Sequence, residues 1–272
     1  MGVSQEDFEY VKLLLREGAG IVLEEGKEYL VEARMTPVAQ SAGFSELAKF
    51  FQHLRRADSV ELRRRSVEAL TINETSFFRD LDPFEALRFE VLPALMRQRR
   101  ATCELTIWSA AAATGQEAYS VAMLLCEHFP ELRDWKVTII GTDICRKALE
   151  KARSGVYSQF EANRGLPIIY LIKYFEQNGA NWHVKPLLRE MVRFEELNLS
   201  KPFNLMYDID ILLIRNVLIY FDAEGKQDIL TRVGKNLKPD GFLFLGTSEF
   251  LGPGMEYMLR RNYAKCSYYQ RK

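Results

Sequence analysis

The chain has 272 residues, with 37 basic side chains balanced by 37 acidic ones and 47% hydrophobic residues, so it can build a globular core and its bulk charge gives no argument for nucleic acid. The four cysteines, Cys103, Cys126, Cys145 and Cys266, show no Cys-x-x-Cys spacing, which argues against a metal centre or a disulfide framework and is in keeping with a reducing cytoplasm. No apolar run approaches the ~20 residues that span a bilayer, and the N-terminus lacks the basic-then-apolar order of a secretory signal.

Residues from Ser4 to about Arg100 read as helices. Ser4 precedes a run with Phe8, Val11, Leu14 and Leu15 at helical spacing, which Gly18 or Gly20 ends. Ser45 opens a second helix with Leu47, Phe50, Phe51 and Leu54. Ser59 opens a third with Val60, Val67 and Leu70. Asp82 and Pro83 suit the N-cap and first turn of a helix running towards Arg100. Between these helices, residues 71–80 (TINETSFFRD) break the helical period and are rich in hydrogen-bonding side chains. They form either a functional polar loop or a helix end with Phe77 and Phe78 in the core.

The stretch 105–123 (LTIWSAAAATGQEAYSVAM) reads as strand, tight loop and helix. Its small residues let a ligand approach the backbone, and a helix start adds free N–H groups. Thr114 and Glu117 also have the spacing of a capping box, which gives Glu117 a purely local alternative. Strand and helix then alternate. Residues 137–141 form a strand ending at Thr142-Asp143, followed by a helix with Ala148, Leu149 and Ala152. Strands follow at 192–197, ending near Asn198, and at 209–214, ending at Arg215-Asn216. Asp222 caps a helix reaching Leu237, a turn at 239–241 leads into a strand at 242–246, and 263–270 reads as a last strand. This alternation implies a mostly parallel sheet. Residues 164–193 interrupt it with a helix and a small antiparallel excursion around Asn178-Gly179.

Asp143, after the second strand of the α/β unit, suits the ribose hydroxyls of an adenosine-containing cofactor. The loop is not Gly-x-Gly-x-x-Gly, which disfavours a dinucleotide, whose pyrophosphate needs that close backbone. S-adenosylmethionine carries no phosphate and needs no such cradle. The histidines, His53, His128 and His183, stand apart, and no His-Glu-x-x-His or Gly-x-Ser-x-Gly signature points to a hydrolase.

Several stretches together resemble the chemotaxis receptor methyltransferases, the CheR family. They are 71–80, 108–123 (WSAAAATGQEAYSVAM), 141–144 (GTDI), Asn198-Leu199, 215–222 (RNVLIYFD) and 246–249 (GTSE). The chain departs from the family pattern at Gln116, Ala118 and Ile214. The resemblance implies a small helical N-terminal domain, about 1–80, and a Rossmann-like S-adenosylmethionine-dependent methyltransferase domain, 81–272. A small antiparallel β-subdomain at about 164–193 is inserted in the latter. The implied activity is methylation of glutamate carboxylates on the acidic helical bundle of cytoplasmic chemoreceptor domains. The implied cofactor contacts are Asn73, Thr75, Arg79, Glu117, Asp143, Asn198, Leu199, Arg215 and Asn216, with Arg79 and Tyr220 nearest the reacting methyl. In some members the β-subdomain grips a receptor tail peptide.

The clearest local positive surplus is at 55–65, where Arg55, Arg56, Arg63, Arg64 and Arg65 stand against Asp58 and Glu61, five against two. No aromatic residues interleave them, so nucleic acid is not expected. They form either a solvated face or a surface steering the acidic receptor helix, with Arg55, Arg56 and Arg63 as its members. Other readings are a methyltransferase of the same fold with a different acceptor, and a module that binds S-adenosylmethionine without turnover.

Overall fold

In the computed structural model, which describes residues 2–204 and 207–272, the N-terminal quarter forms a separate helical layer. It comprises α1 (Gln5–Ala19), α2 (Glu28–Ser41), α3 (Leu47–Leu54) and α4 (Val60–Leu70). These close on their own core, in which Phe8, Val11, Val31, Met35, Phe50, Phe51 and Leu54 are fully buried. Burying each such side chain contributes about 1.5–3 kcal/mol. The Ser4 hydroxyl accepts from the Asp7 amide at 3.2 Å, and Gly20, at φ +70°, ends α1 in the left-handed conformation. Ser59 stands at the N-cap position of α4, as expected, though without a side-chain cap bond, and Ser45 does not cap. The residue before α3 is Glu46, and the Ser59 hydroxyl donates to the His53 carbonyl at 2.7 Å.

The helix expected from Asp82 is present, with its axis locally widened. α5 (Asp82–Ala86) passes through a π-helical turn, Leu87–Val91, into α6 (Leu92–Gln98). Pro93 lies just beyond and has no N–H to offer the preceding turn, which accounts for the altered hydrogen-bond register.

The rest is organised by a seven-stranded sheet and a small three-stranded one. The strands are β1 (Glu104–Ala110), β2 (Lys136–Asp143), β3 (Val156–Ser158), β4 (Phe175–Asn178), β5 (Asn181–Val184), β6 (Val192–Glu196), β7 (Ile209–Ile214), β8 (Leu237–Leu245), β9 (Met258–Tyr263) and β10 (Cys266–Arg271). The large sheet has the order β6-β2-β1-β7-β8-β10-β9. β6, β2, β1, β7 and β8 run parallel, and β10 runs antiparallel to both neighbours. α7 (Gln116–His128), α8 (Arg146–Ser154) and α12 (Ala223–Lys235) are its main covering helices. Alternate residues of β1 feed opposite faces, Ile107 one core and Trp108 the other, as the pleat requires. Strand order reverses between β1 and β7, so the loops after these two strands part and leave a crevice at their carboxyl ends.

The small sheet, β3-β5-β4, turns at Gly179 (φ +60°) and is flanked by α9 (Gln159–Asn163), α10 (Ile168–Tyr174) and α11 (Pro186–Met191). Its β3 lies upstream of the expected excursion at 164–193. The tail also differs from expectation: 263–270 is not one strand. Ala264, at φ +46°, sits in the turn that folds β9 back onto β10. Among the described residues no helix is long and apolar enough to cross a membrane.

Candidate active site

The crevice at the switch point is built first from the loop after β1. Ala111 (φ +57°), Ala113 (φ +48°) and Gly115 (φ +93°) are left-handed, so the chain coils tightly before α7. The Ala112 amide donates to the Thr142 carbonyl at 2.8 Å. At Gly115 a Cβ would lie 2.9 Å from that of Ala152, so a larger residue would lift the loop off α8. Asp143, at the end of β2, takes the Ala113 amide on Oδ2 at 2.8 Å and the Cys145 amide on Oδ1 at 2.9 Å. Burial pushes its carboxyl above the usual aspartate range, and the amides of Cys145, Ala113 and Ile144 oppose that rise.

Glu117 is not part of a capping box. Thr114 donates to Gln116 instead, at 2.7 Å. The Glu117 carboxylate turns inward, accepting from the Ser109 hydroxyl at 2.7 Å and from Arg215 Nη1 at 2.9 Å. Arg215, whose side chain is 1% exposed, also reaches Asp80 Oδ2 at 3.0 Å and the Arg79 carbonyl at 2.8 Å. One guanidinium thus joins β7, α7 and the 71–80 loop. Its Nε is buried and has no partner among the described residues. A desolvated cation is retained because two carboxylates face it.

The 71–80 loop is a polar loop whose two phenylalanines are nevertheless in the core. Phe77 meets Tyr157 and Phe175 edge-on at 5.1 and 5.6 Å, and Phe78 meets Phe84 at 5.1 Å. Phe78 and Asp80 are again left-handed, at φ +47° and +57°. Glu74 pairs with Arg164 at 2.9 Å, so the inserted region braces the loop from outside.

The helical layer forms the opposite wall. Asn198 Nδ2 donates to the Gly18 carbonyl at 2.7 Å, and the Val22 amide donates to the Tyr220 carbonyl at 2.9 Å. The result is an open cleft between helices and sheet, the kind of concave site in which small molecules bind. Of the residues expected from the sequence, Thr75, Arg79, Glu117, Asp143, Asn198, Leu199, Arg215, Asn216 and Tyr220 all line it. Asn73 does not: its amide turns to the Thr71 hydroxyl at 3.2 Å. Tyr220 is half-buried, and burial raises its phenol pKa against the lowering effect of the Arg79 guanidinium. Ala19 and Ile21 of the helical layer also line the cleft, which no local pattern announced.

Arg55, Arg56 and Arg63 do not line it. Arg55 lies 4.6 Å over the Tyr10 ring and pairs with Asp7 at 2.8 Å. Arg56 is exposed and pairs with Asp58 at 3.3 Å. Arg63 donates to the carbonyls of Leu54, Arg56 and Ala57 at 3.0, 2.6 and 3.1 Å, closing the end of α3. The positive surplus read from the sequence is thus largely taken up inside the helical layer, and Arg63 has a structural use.

A five-stranded parallel run, an antiparallel strand inserted next to its edge, a small-residue loop after β1 and a buried acid after β2 define an S-adenosylmethionine-dependent α/β methyltransferase. Comparison with known proteins agrees. Residues 73–264 match the family described as CheR methyltransferase, SAM binding domain, and residues 6–71 match CheR methyltransferase, all-alpha domain. The chain belongs to the CheR methyltransferase family. It is 38% identical over 255 residues to the chemotaxis protein methyltransferase Cher2 of Pseudomonas putida, covering 92% of each chain. It is 40% identical over 256 residues to chemotaxis protein methyltransferase 1 of Pseudomonas aeruginosa, again covering 92% of each. With the chemotaxis protein methyltransferase of Vibrio parahaemolyticus it shares 36% over 253 residues, 92% of this chain and 90% of the relative.

Proposed function

We propose that this chain methylates glutamate side chains on the cytoplasmic helical bundle of chemoreceptors, forming γ-methyl esters that tune adaptation. The observation that carries this reading is the cleft itself. It gathers Arg79, Glu117, Asp143, Arg215, Asn216 and Tyr220 between a helical layer and the switch point of the sheet.

The residues fit S-adenosylmethionine. The loop at Ala111–Gly115 offers only methyl groups and backbone, one hydroxyl apart, so an adenosine can lie close to it. Asp143 keeps free lone pairs beyond its two amide bonds, enough for a ribose diol. The unpartnered Arg215 Nε and the Glu117 carboxylate provide charges of both signs for an amino-acid moiety. When bound, the cofactor supplies an electrophilic methyl group on a sulfonium. The acceptor carboxylate has a reference pKa of about 4.3 and is already anionic at neutral pH, so no general base is required. What the chain contributes is alignment, for which about 7–11 kcal/mol is available. In this reading Arg79 orients the incoming carboxylate, Tyr220 fixes the methyl or sulfonium end, and Ala19, Ile21 and Phe221 exclude water. The small sheet, whose β4 is an edge strand, takes a receptor tail peptide by strand addition.

The test is transfer of labelled methyl groups to receptor-bearing membranes. Label on the receptor that mild base releases supports a carboxyl ester. Base-stable label, or label confined to small molecules, favours another acceptor, and cofactor binding without transfer favours a non-catalytic module.

A further inference from the structure

We propose that Glu249 is a positioning residue for methyl transfer, its carboxylate setting the conformation of the 215–220 segment that presents Asn216 and Tyr220 to the cleft. The inference rests on the function proposed above and assigns a role to a side chain that does not itself line the cleft.

Glu249 is 8% exposed and faces only amide donors. Its Oε1 accepts from Val217, Leu218 and Ile219 at 2.9, 2.7 and 3.3 Å. Its Oε2 accepts from Asn216 at 2.8 Å and from Gly246 at 2.7 Å. One carboxylate therefore gathers four successive amides after β7 and one at the end of β8. The geometry downstream depends on it. Asn216 is held left-handed at φ +57°, which turns the chain out of the strand. The Tyr220 amide then bonds the Val217 carbonyl at 3.2 Å, and the Tyr220 carbonyl receives Val22 from the helical layer. Tyr220 is thus located through Val217, and Val217 through Glu249. Gly246 shows how close the junction is: a Cβ there would lie 2.6 Å from Glu249 Oε2 and 2.8 Å from the Asn216 amide nitrogen.

Charge is needed as well as shape. In Glu249→Gln one of the two oxygens becomes an NH2 group that confronts N–H donors. Either Asn216 with Gly246, or the Val217–Ile219 amides, then lose their acceptor. The experiment uses the full chain, S-adenosylhomocysteine affinity by calorimetry, and kcat and KM for methyl transfer to receptor-bearing membranes. We expect E249Q to lower kcat roughly ten- to hundredfold, the scale of a lost charge-assisted hydrogen bond, while KM for receptor stays near that of the parent. In the E249Q background Y220F should add little further loss, because Tyr220 is already displaced. G246A, which pushes the same pair apart from the backbone side, should give the same pattern and serves if E249Q does not fold. Folded E249Q or G246A with parental kcat, or losses fully additive with Y220F, would overturn the proposal. A parent chain that binds no S-adenosylhomocysteine or labels no receptor would instead overturn the reading on which it rests.

Discussion

The side-chain amide of Asn198 donates to the carbonyl oxygen of Gly18 at 2.7 Å, so the turn after β6 grips the last turn of α1. Two residues on, Gly20 lies against the sheet layer at φ +70°, where a Cβ would come within 2.7 Å of Ser200 and 3.0 Å of the Phe221 ring. Gly20→Ala should therefore pry the helical layer from the cleft. Lost docking and the strained φ predict about 1–3 kcal/mol of destabilisation, read as a lower Tm, together with weaker S-adenosylhomocysteine binding. Asn198→Ala should do the same more mildly, by about 1 kcal/mol. A Gly20→Ala chain as stable and as tight-binding as the parent would contradict this account of the interface.

Asp143 gives the site a pH dependence. Burial raises its carboxyl above the ordinary aspartate value, so the folded chain takes up this proton at a higher pH than the unfolded chain. Between the unfolded and folded pKa the native state binds more protons, and acidification through that window favours the fold. On the proposed reading of the site, the same proton removes an acceptor for ribose. Affinity for S-adenosylhomocysteine should then fall on acidification from above the usual aspartate range, while this residue's contribution to stability rises. In Asp143→Asn affinity should be low at every pH, by roughly ten- to hundredfold, and that acid limb should vanish from the calorimetric titration.

Arg79 and Tyr220 should separate turnover from binding. Beyond one 3.3 Å bond from Nη1 to the Glu74 carbonyl, the Arg79 side chain has no hydrogen bond or ion pair among the described residues, and the Tyr220 hydroxyl has none. Groups left uncommitted in the folded chain are free to act on an incoming carboxylate or methyl. Arg79→Ala and Tyr220→Phe should lower kcat with little change in cofactor affinity, the pattern of contacts that strengthen in the transition state. Variants that lose affinity alone would make both residues binding groups.

For Arg63 the expectation is stability rather than steering. Its guanidinium satisfies three carbonyls at the end of α3, so Arg63→Ala should cost about 1–2 kcal/mol and lower Tm. The salt dependence of receptor methylation should be unchanged in that variant. A flattened salt response with parental Tm would restore Arg63 to a docking surface.

Most of the α/β layering was legible because its signals are local. Ser4 and Asp222 cap helices through their own side chains, and β7 is apolar at every position but Asp210. The cleft residues Asp143, Asn198, Leu199, Arg215 and Asn216 were found by motif, since each ends a strand or follows one closely, whereas Ala19 and Ile21 at the end of α1 carry no such mark. Elements defined by remote partners were not visible. β3 is three residues whose pairing with β5 lies across an intervening helix pair. The β9–β10 turn has no Asn-Gly or Asp-Gly to mark it. Asn73 matched the motif yet turns to Thr71, because the loop's path, set by Phe77 and Phe78 in the core, decides which polar side chains face inward. Glu249 lay in a recognised stretch without a role, because its five donors come from segments some thirty residues away and from its own turn.

Five non-glycine residues around the cleft, Phe78, Asp80, Ala111, Ala113 and Asn216, are held in the left-handed region. Each conformation costs roughly 1–2 kcal/mol, and together they rival the roughly 5–15 kcal/mol by which a domain is stable at all. An engineer seeking a more heat-tolerant enzyme would be drawn first to Ala111 and Ala113, where glycine relieves the strain and removes only a methyl group. The same exchange would slacken the loops that aim Arg79, Arg215 and Tyr220. In this molecule heat tolerance and catalytic readiness compete for the same handful of backbone angles, and robust variants are better sought in the helical layer and the sheet's far edge.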